Sequence, residues 1–469
     1  MTDHRKPVDL LVTAAGVITV DPQDTVFAPG AVATLGERIV AVGPVDEVIA
    51  NHTAAKRIDA PECFVFPGLI NTHTHLYQTL LKGLGDDMPL LAWLEALTLP
   101  TIPHLDDEAC YLAAALGALE AARSGCTTTL DFMVDHPVVS IYDQLLRAFE
   151  DVGGSLVLGR GVRDRVPEAA PRGSAPTPLE AQLGDCRRLV ERYGRDRVWL
   201  APSTVWAMTG HGLKAARALA DELGLRITIH MNEVKYDSEV SVQRFGKRSL
   251  PYLDSLGFLQ PDVLHAHCVW LDDEDIRLLA RCGCAVSYNP ASNMYLGSGI
   301  ARIVELLDAG VRVSLATDGA ASNNSQDMLE ALKLGALLQK VAHCDPTVLS
   351  APQVLRLATS GGAEALGRDD LGQIAPGMRA DFFVFDPRRP KSVPLHDPIS
   401  TLVYSGGQQN VVTTVAAGRI VLEDGHFTTV DEADLLARAQ AVAVDLARRA
   451  GTDANVRNRP GRLVSSRPR

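Results

Sequence analysis

Five times between residues 112 and 317, an amphipathic stretch stops at a glycine and a dense apolar run follows. Leu112, Leu116 and Leu119 recur at helical spacing ahead of Gly125, and 126–132 follows as an apolar run. The stretch 143–152 stops at Gly153 and Gly154 before 155–161, and 213–223 stops at Gly224 before 225–231. Next, 274–282, opened by Asp272 or Asp273 as a cap, stops at Gly283 before 284–288; finally 300–309 stops at Gly310 before 311–317. Glycine adopts the left-handed conformation that closes a helix, so each repeat predicts a helix followed by a strand.

Three further apolar runs, 64–70, 198–203 and 262–268, bring the strands to eight, alternating with helices. That alternation is the pattern of a (β/α)8 TIM barrel, in the α/β class. A doubly wound sheet is the alternative, but no GxGxxG follows any of these strands. The chain ends differ in kind: 10–20, 31–35 and 38–43 (with a turn at Gly36) read as strands, and so does 380–427 with ADFFVFD and VVTTVAAGRIVLEDG. Strand-rich ends around a long middle predict a small β-sandwich domain from 1–62 plus 376–430, a barrel over 63–375, and a C-terminal helix and basic tail over 431–469. A length of 469 residues accommodates one large domain and a smaller one.

Composition narrows the partners. Hydrophobic content of 46% and charged content of 22% are those of a soluble globular protein. No apolar run reaches membrane-spanning length and the start, MTDHRKPVDL, lacks a signal-peptide core, so a cytoplasmic protein without membrane contact is expected. A net charge of −12 argues against nucleic acid as a partner. The arginine-rich tail over 448–469 reads as a surface extension or packing arm. Eight cysteines without a CxxC pair predict reduced, mostly buried thiols.

In a barrel the chemistry sits at the carboxyl ends of the strands. The first strand there presents His73 and His75, whose i, i+2 spacing aims two imidazoles at one point. The fifth presents His230, with Glu233 three residues on; the sixth His265 and His267; the eighth Asp318. Parity puts His265 on the same strand face as His267. Imidazole and carboxylate without thiolate suit zinc or ferrous iron in an open catalytic site.

HTH, HMNE, HAHC, NPASN and ATDGAASN, followed by LGQIAPGMRADFFVFD, resemble the amidohydrolase superfamily, and within it the aminohydrolases of N-heterocycles and the s-triazine hydrolases. The resemblance implies that His73, His75, His230 and Asp318 ligate one divalent metal, zinc first and ferrous iron second. A second metal would need a lysine after the fourth strand, where Ser203 and Thr204 stand. Glu233 becomes the acid/base at the ring nitrogen, Asp318 takes a proton from water, and His267 stands beside that water, making these three the catalytic residues. His265 has no family role and is read as structural.

The implied activity is hydrolytic deamination of an oxo-substituted aromatic N-heterocycle (purine, pterin or pyrimidine) with release of ammonia. Its rivals are an s-triazine hydrolase releasing alkylamine or chloride, and an inactive binding protein on the same fold. Gln78, Trp93, Arg160 and Trp206 are the expected substrate contacts, Gln78 through an amide that matches a ring lactam, with helix capping as its other reading. Arg160 and Arg163 form a basic pair that reads a carboxylate or oxo group, or else pairs with Asp164 or Asp131. Asn293, Ser322 and Asn323 hold loops around the metal. The resemblance further implies a homo-oligomer.

Overall fold

The apolar runs of the middle region pair with one another in parallel, in the order in which they occur. In the computed structural model, which describes residues 5–166 and 176–457, the eight strands are Leu69–Thr74, Cys126–Met133, Ser155–Val162, Val198–Pro202, Ile227–Met231, Val263–His267, Ala285–Tyr288 and Arg312–Leu315. The first and eighth meet across the remaining seam: Asp318 N donates to His73 O at 3.0 Å, Thr72 Oγ1 lies 2.8 Å from Ser314 Oγ, and Asn71 Nδ2 donates to Thr317 Oγ1 at 2.8 Å. The result is a nearly closed parallel barrel ringed by helices. Ile70, Leu130, Val157, Trp199 and Leu264 pack with Ala363, Leu366 and Leu371 into an apolar floor, which leaves the opposite, carboxyl-terminal mouth for chemistry.

The glycine stops behave as the pattern predicts. Gly153, Gly224 and Gly283 close the helices Ser140–Val152, Gly210–Leu223 and Asp273–Cys282 with φ of 113°, 64° and 63°. Asp272 is the cap of the last of these, accepting from Asp275 N at 2.9 Å.

Two details depart from expectation. Residues 64–67 do not begin the barrel. They end the strand His52–Pro67 and pair antiparallel with Phe382–Phe385. Gly68 N then donates to Asp381 O, and the barrel starts at Leu69. The second concerns His265. In parallel neighbours, paired residues project to the same side, and the register pairs His230 with Ala266 but Ile229 with His265. His265 therefore faces away from His230, on the outside of the barrel. His267 returns to the inside because its backbone takes φ of 73°, leaving the extended conformation on which parity depends.

Both chain ends join one nine-stranded sheet, with Lys6–Ile18, Val26–Phe27, Gly30–Leu35, Arg38–Pro44 and His52–Pro67 from the first end and Phe382–Phe385, Val411–Ala416, Arg419–Glu423 and His426–Phe427 from the second. Phe66 stacks on Phe383 at 5.6 Å where the sheet meets the barrel. The helix Glu432–Ala450 lies against Asp107–Arg123, tied by Arg123 to Glu432 at 2.6 Å. Residues 458–469 of the basic tail lie outside the described residues. No helix among the described residues is long and apolar enough to cross a membrane.

Candidate active site

His73 is the last residue but one of the first strand, and His75 precedes a 3-10 turn, Leu76–Leu81. His75 Nδ1 lies 2.6 Å from Phe132 O, and His230 Nδ1 lies 2.8 Å from Ser203 O. A carbonyl accepts only, so each ring carries its proton on Nδ1 and offers a lone pair at Nε2. Those two Nε2 atoms face each other at 3.1 Å. Burial pushes the His75 imidazole down to about 4 and, with His73, His75 and His267 nearby, pushes His230 well below its ordinary value. Neither ring can relieve the contact by taking up a proton near neutrality.

His73 stands edge-on to both at 4.9 Å, is wholly buried, and has no hydrogen-bond partner at either ring nitrogen. Buried polar atoms without partners are uncommon. Asp318, at φ of 65° after the eighth strand, brings Oδ1 to 3.5 Å from His73 Nε2 and 3.6 Å from His75 Nε2. Burial alone would raise its carboxyl, but the His73 contact and the surrounding imidazoles hold it well below the ordinary range. Donor atoms of His73, His75 and His230 lie within 4.8 Å of one another, as do those of His73, His267 and Asp318. Convergent lone pairs, an ionised carboxylate and an orphaned imidazole fit a divalent cation, with nitrogen and oxygen donors of the kind zinc accepts.

His267 Nδ1 donates to Asn293 Oδ1 at 3.0 Å, which turns Nε2 toward Glu233 Oε2 at 3.6 Å and Asp318 Oδ2 at 4.0 Å. Burial opposes protonation of this ring, but the Glu233 and Asp318 carboxylates prevail and raise it. Burial pushes Glu233 up to about 7. Ser298 Oγ donates to Glu233 Oε1 at 3.3 Å, and Asp237 Oδ2 accepts from Glu233 N at 2.7 Å.

A cavity of about 340 Å³ opens above these groups, within the range of small-molecule sites. Gln78, Trp93 and Trp206 line it together with His75, His230, Glu233, His267 and Asp318. Trp93 is fixed by Nε1 donating to Ala321 O at 3.0 Å, and Trp206 by Nε1 donating to Asp237 Oδ1 at 2.9 Å. Gln78 is buried with Oε1 unpartnered, and a Cβ at position 319 would lie 2.0 Å from that oxygen, so Gly319 leaves it room. Arg160 does not line the cavity. Its guanidinium is buried against Asp135, Asp185 and the Tyr142 ring, whereas Arg163 reaches the cavity.

Sequence reasoning missed Asp237, which holds both Glu233 and Trp206, and an apolar wall that includes Leu90, Leu94, Leu99 and Ile102. Asp237 stands four residues beyond Glu233, a spacing that marks neighbours once a helix start is recognised there. Ser322 Oγ donates to Asp318 Oδ2 at 3.2 Å, and Asn323 Nδ2 to Thr317 O at 2.7 Å, bracing the loop after the eighth strand.

With the matches that follow, the barrel and its mouth are those of a hydrolase acting on carbon–nitrogen bonds of cyclic amidines. Residues 64–421 match the model of the amidohydrolase family, and the chain belongs to that family. It is 38% identical over 437 residues to a 5-methylthioadenosine/S-adenosylhomocysteine deaminase of Nitratidesulfovibrio vulgaris, covering 93% of this chain and 97% of that one. A zinc-bound adenosine deaminase of Xanthomonas campestris superposes with a TM-score of 0.88 at 30% identity, covering 96% and 100% of the two chains. A zinc complex of an atrazine chlorohydrolase of Arthrobacter aurescens gives 0.85 at 27% identity, covering 92% and 100%. The chain is accordingly a deaminase of N-heterocycles.

Proposed function

We propose that the protein removes an exocyclic amino group from a purine-class heterocycle, with His73, His75, His230 and Asp318 holding one divalent metal, zinc by analogy with the relatives solved with it. The observation that carries the reading is Glu233, a buried carboxyl poised at about 7 beside His267 and facing the cavity. The metal, when bound, acidifies water so that it attacks at neutral pH. Asp318 Oδ2 accepts the proton of the attacking water. Protonated Glu233 donates to the ring nitrogen next to the carbon under attack, which offsets the loss of aromaticity. His267, anchored through Asn293, donates from Nε2 to the developing oxygen. Glu233, now ionised, takes the proton of the added hydroxyl and returns to its starting form, while the proton on Asp318 passes to the amino group; ammonia leaves, and the ring keeps a carbonyl beside its N–H.

Two readings of the ring are each supported by a specific observation. The relatives named for adenosine-type substrates favour a 6-aminopurine nucleoside with an apolar 5′ substituent, for which the leucine wall is suited. The unpartnered Oε1 of Gln78 favours an oxo-substituted ring, whose N–H and carbonyl an amide pairs with together. The test is ammonia release from 6-aminopurine nucleosides, amino-oxopurines and pterins, against alkylamine or chloride release from s-triazines. Chelation should abolish turnover, and one equivalent of zinc or ferrous iron should restore it. Turnover of triazines alone would refute the purine reading.

A further inference from the structure

The third strand runs out through Arg160 and Arg163, and the two arginines part ways. Arg160 is enclosed by Asp135 at 3.4 Å, Asp185 at 3.2 Å and the face of Tyr142 at 4.7 Å. Arg163 lines the cavity, and among the described residues it is the only arginine or lysine that does so. One buried side chain grips its backbone on both sides: Gln182 Oε1 accepts from Arg163 N at 3.0 Å, and Gln182 Nε2 donates to Arg163 O at 2.7 Å. Its side chain is held more loosely. Nε lies 3.7 Å from Asp135 Oδ2, beyond hydrogen-bond length, and that contact is the only ion pair recorded for it among the described residues. The oxygens of Asp135 are meanwhile engaged by Arg160 and by Thr177 N at 3.1 Å. Arg163 thus stands in the cavity wall on a fixed backbone, its guanidinium charge balanced by Asp135 but, among the described residues, with none of its five donors in a hydrogen bond.

We propose that Arg163 determines specificity by binding an anionic or carbonyl oxygen of the substrate on the wall formed by the second and third strands, with Asp135 and Arg160 as positioning residues. The proposal rests on the deaminase reading only in taking the occupant to be a heterocyclic substrate. The acceptor oxygen has two sources, an oxo group on the ring or a carboxylate on a substituent. The stretch of wall formed by Leu90, Leu94, Leu99 and Ile102 offers no side-chain hydrogen bond, so an oxygen placed against it would lose its hydrogen bonds to water without replacement.

The test compares kcat and KM of zinc-loaded wild type, Arg163→Met and Arg163→Lys on three compounds. These are a 5′-methylthio 6-aminopurine nucleoside, the same nucleoside with an amino-acid carboxylate on its thioether, and an amino-oxopurine. Arg163→Met should depress kcat/KM for an acceptor-bearing compound about 10- to 100-fold more than for the methylthio nucleoside, mainly through KM, the range expected of a charged hydrogen bond. Arg163→Lys, which keeps the charge but not the fork, should lie between. Selective loss on the carboxylate compound or on the oxopurine identifies the source of the oxygen. Equal loss on all three overturns the proposal. Should the wild type deaminate none of them, the deaminase reading falls separately, and calorimetric titration of the same compounds decides on Arg163. Equal affinities for wild type and Arg163→Met, or no binding by wild type, would then overturn it.

Discussion

Two buried polar clusters sit at the same end of the barrel, and they are built on opposite principles. Around Asp135, Arg160 and Asp185 each charge meets a countercharge: Arg160 pairs with both carboxylates, and Arg188 adds a second cation to Asp185 at 2.8 Å. Around His73, His75, His230 and Asp318 the donors converge and remain incompletely matched, with two lone pairs facing at 3.1 Å and one imidazole that makes no hydrogen bond at either nitrogen. A matched cluster has nothing left to bind and acts as scaffold. An unmatched one is costly in isolation and therefore marks where something else completes the structure. The contrast is what separates Arg160 from the catalytic groups, although both are buried and both stand at strand ends.

The comparison can be broken most directly at Glu233. Glu233→Gln should lower kcat by roughly 10²- to 10⁴-fold, the range of a lost general acid, with metal content by atomic absorption unchanged; loss of the metal would make Glu233 a ligand. Next in size, Arg160→Met removes the cation shared by buried Asp135 and Asp185, leaving them only Arg163 and Arg188, and should cost up to about 3–5 kcal/mol of stability, read as a lower midpoint in urea. An unchanged midpoint would mean that the scaffold cluster is not holding the third strand. Metal removal should lower the thermal midpoint as well as activity, because an ion that binds only the folded state stabilises it by mass action; a melt indifferent to chelation would contradict the donor geometry.

Smaller effects sharpen the same contrast. Glu233 is raised to about 7 by burial and must carry a proton to act, so kcat/KM should fall as pH rises through that region, and Glu233→Gln should lack this limb. A flat alkaline profile would assign the acid elsewhere. Gln78→Leu removes an amide whose oxygen has no protein partner, so its melt should change little while KM for an oxo-substituted ring rises about 10-fold. A large loss of stability with unchanged KM would turn Gln78 into a structural amide.

Much of this was legible in the chain, for reasons that are local. A helix ended by Gly153 or Gly283 announces itself through the left-handed conformation its stop requires, and histidines one residue apart at a strand end share a face wherever the backbone is extended. The failures arise where local rules lose their premise. Residues 64–66 and 69–70 are alike apolar and, Phe64 aside, buried, so hydrophobicity could not divide them at Gly68. Parity misplaced His265 because His267 leaves the extended conformation. Arg160 and Arg163 are three residues apart and chemically the same; Asp135 lies beside both, and the partner that distinguishes them, Asp185, comes from the helix Leu179–Tyr193.

The seam between the first and eighth strands has a temporal side. His73 is made early and Asp318 late, and the backbone bond that joins them forms only when both exist. A nascent chain on the ribosome cannot assemble the full donor set until the last barrel strand has emerged, and the strand at Phe382–Phe385 that buttresses the first emerges later still. The full donor set is thus withheld from any chain whose synthesis stops before Asp318, and such a product leaves behind no complete hydrolytic centre.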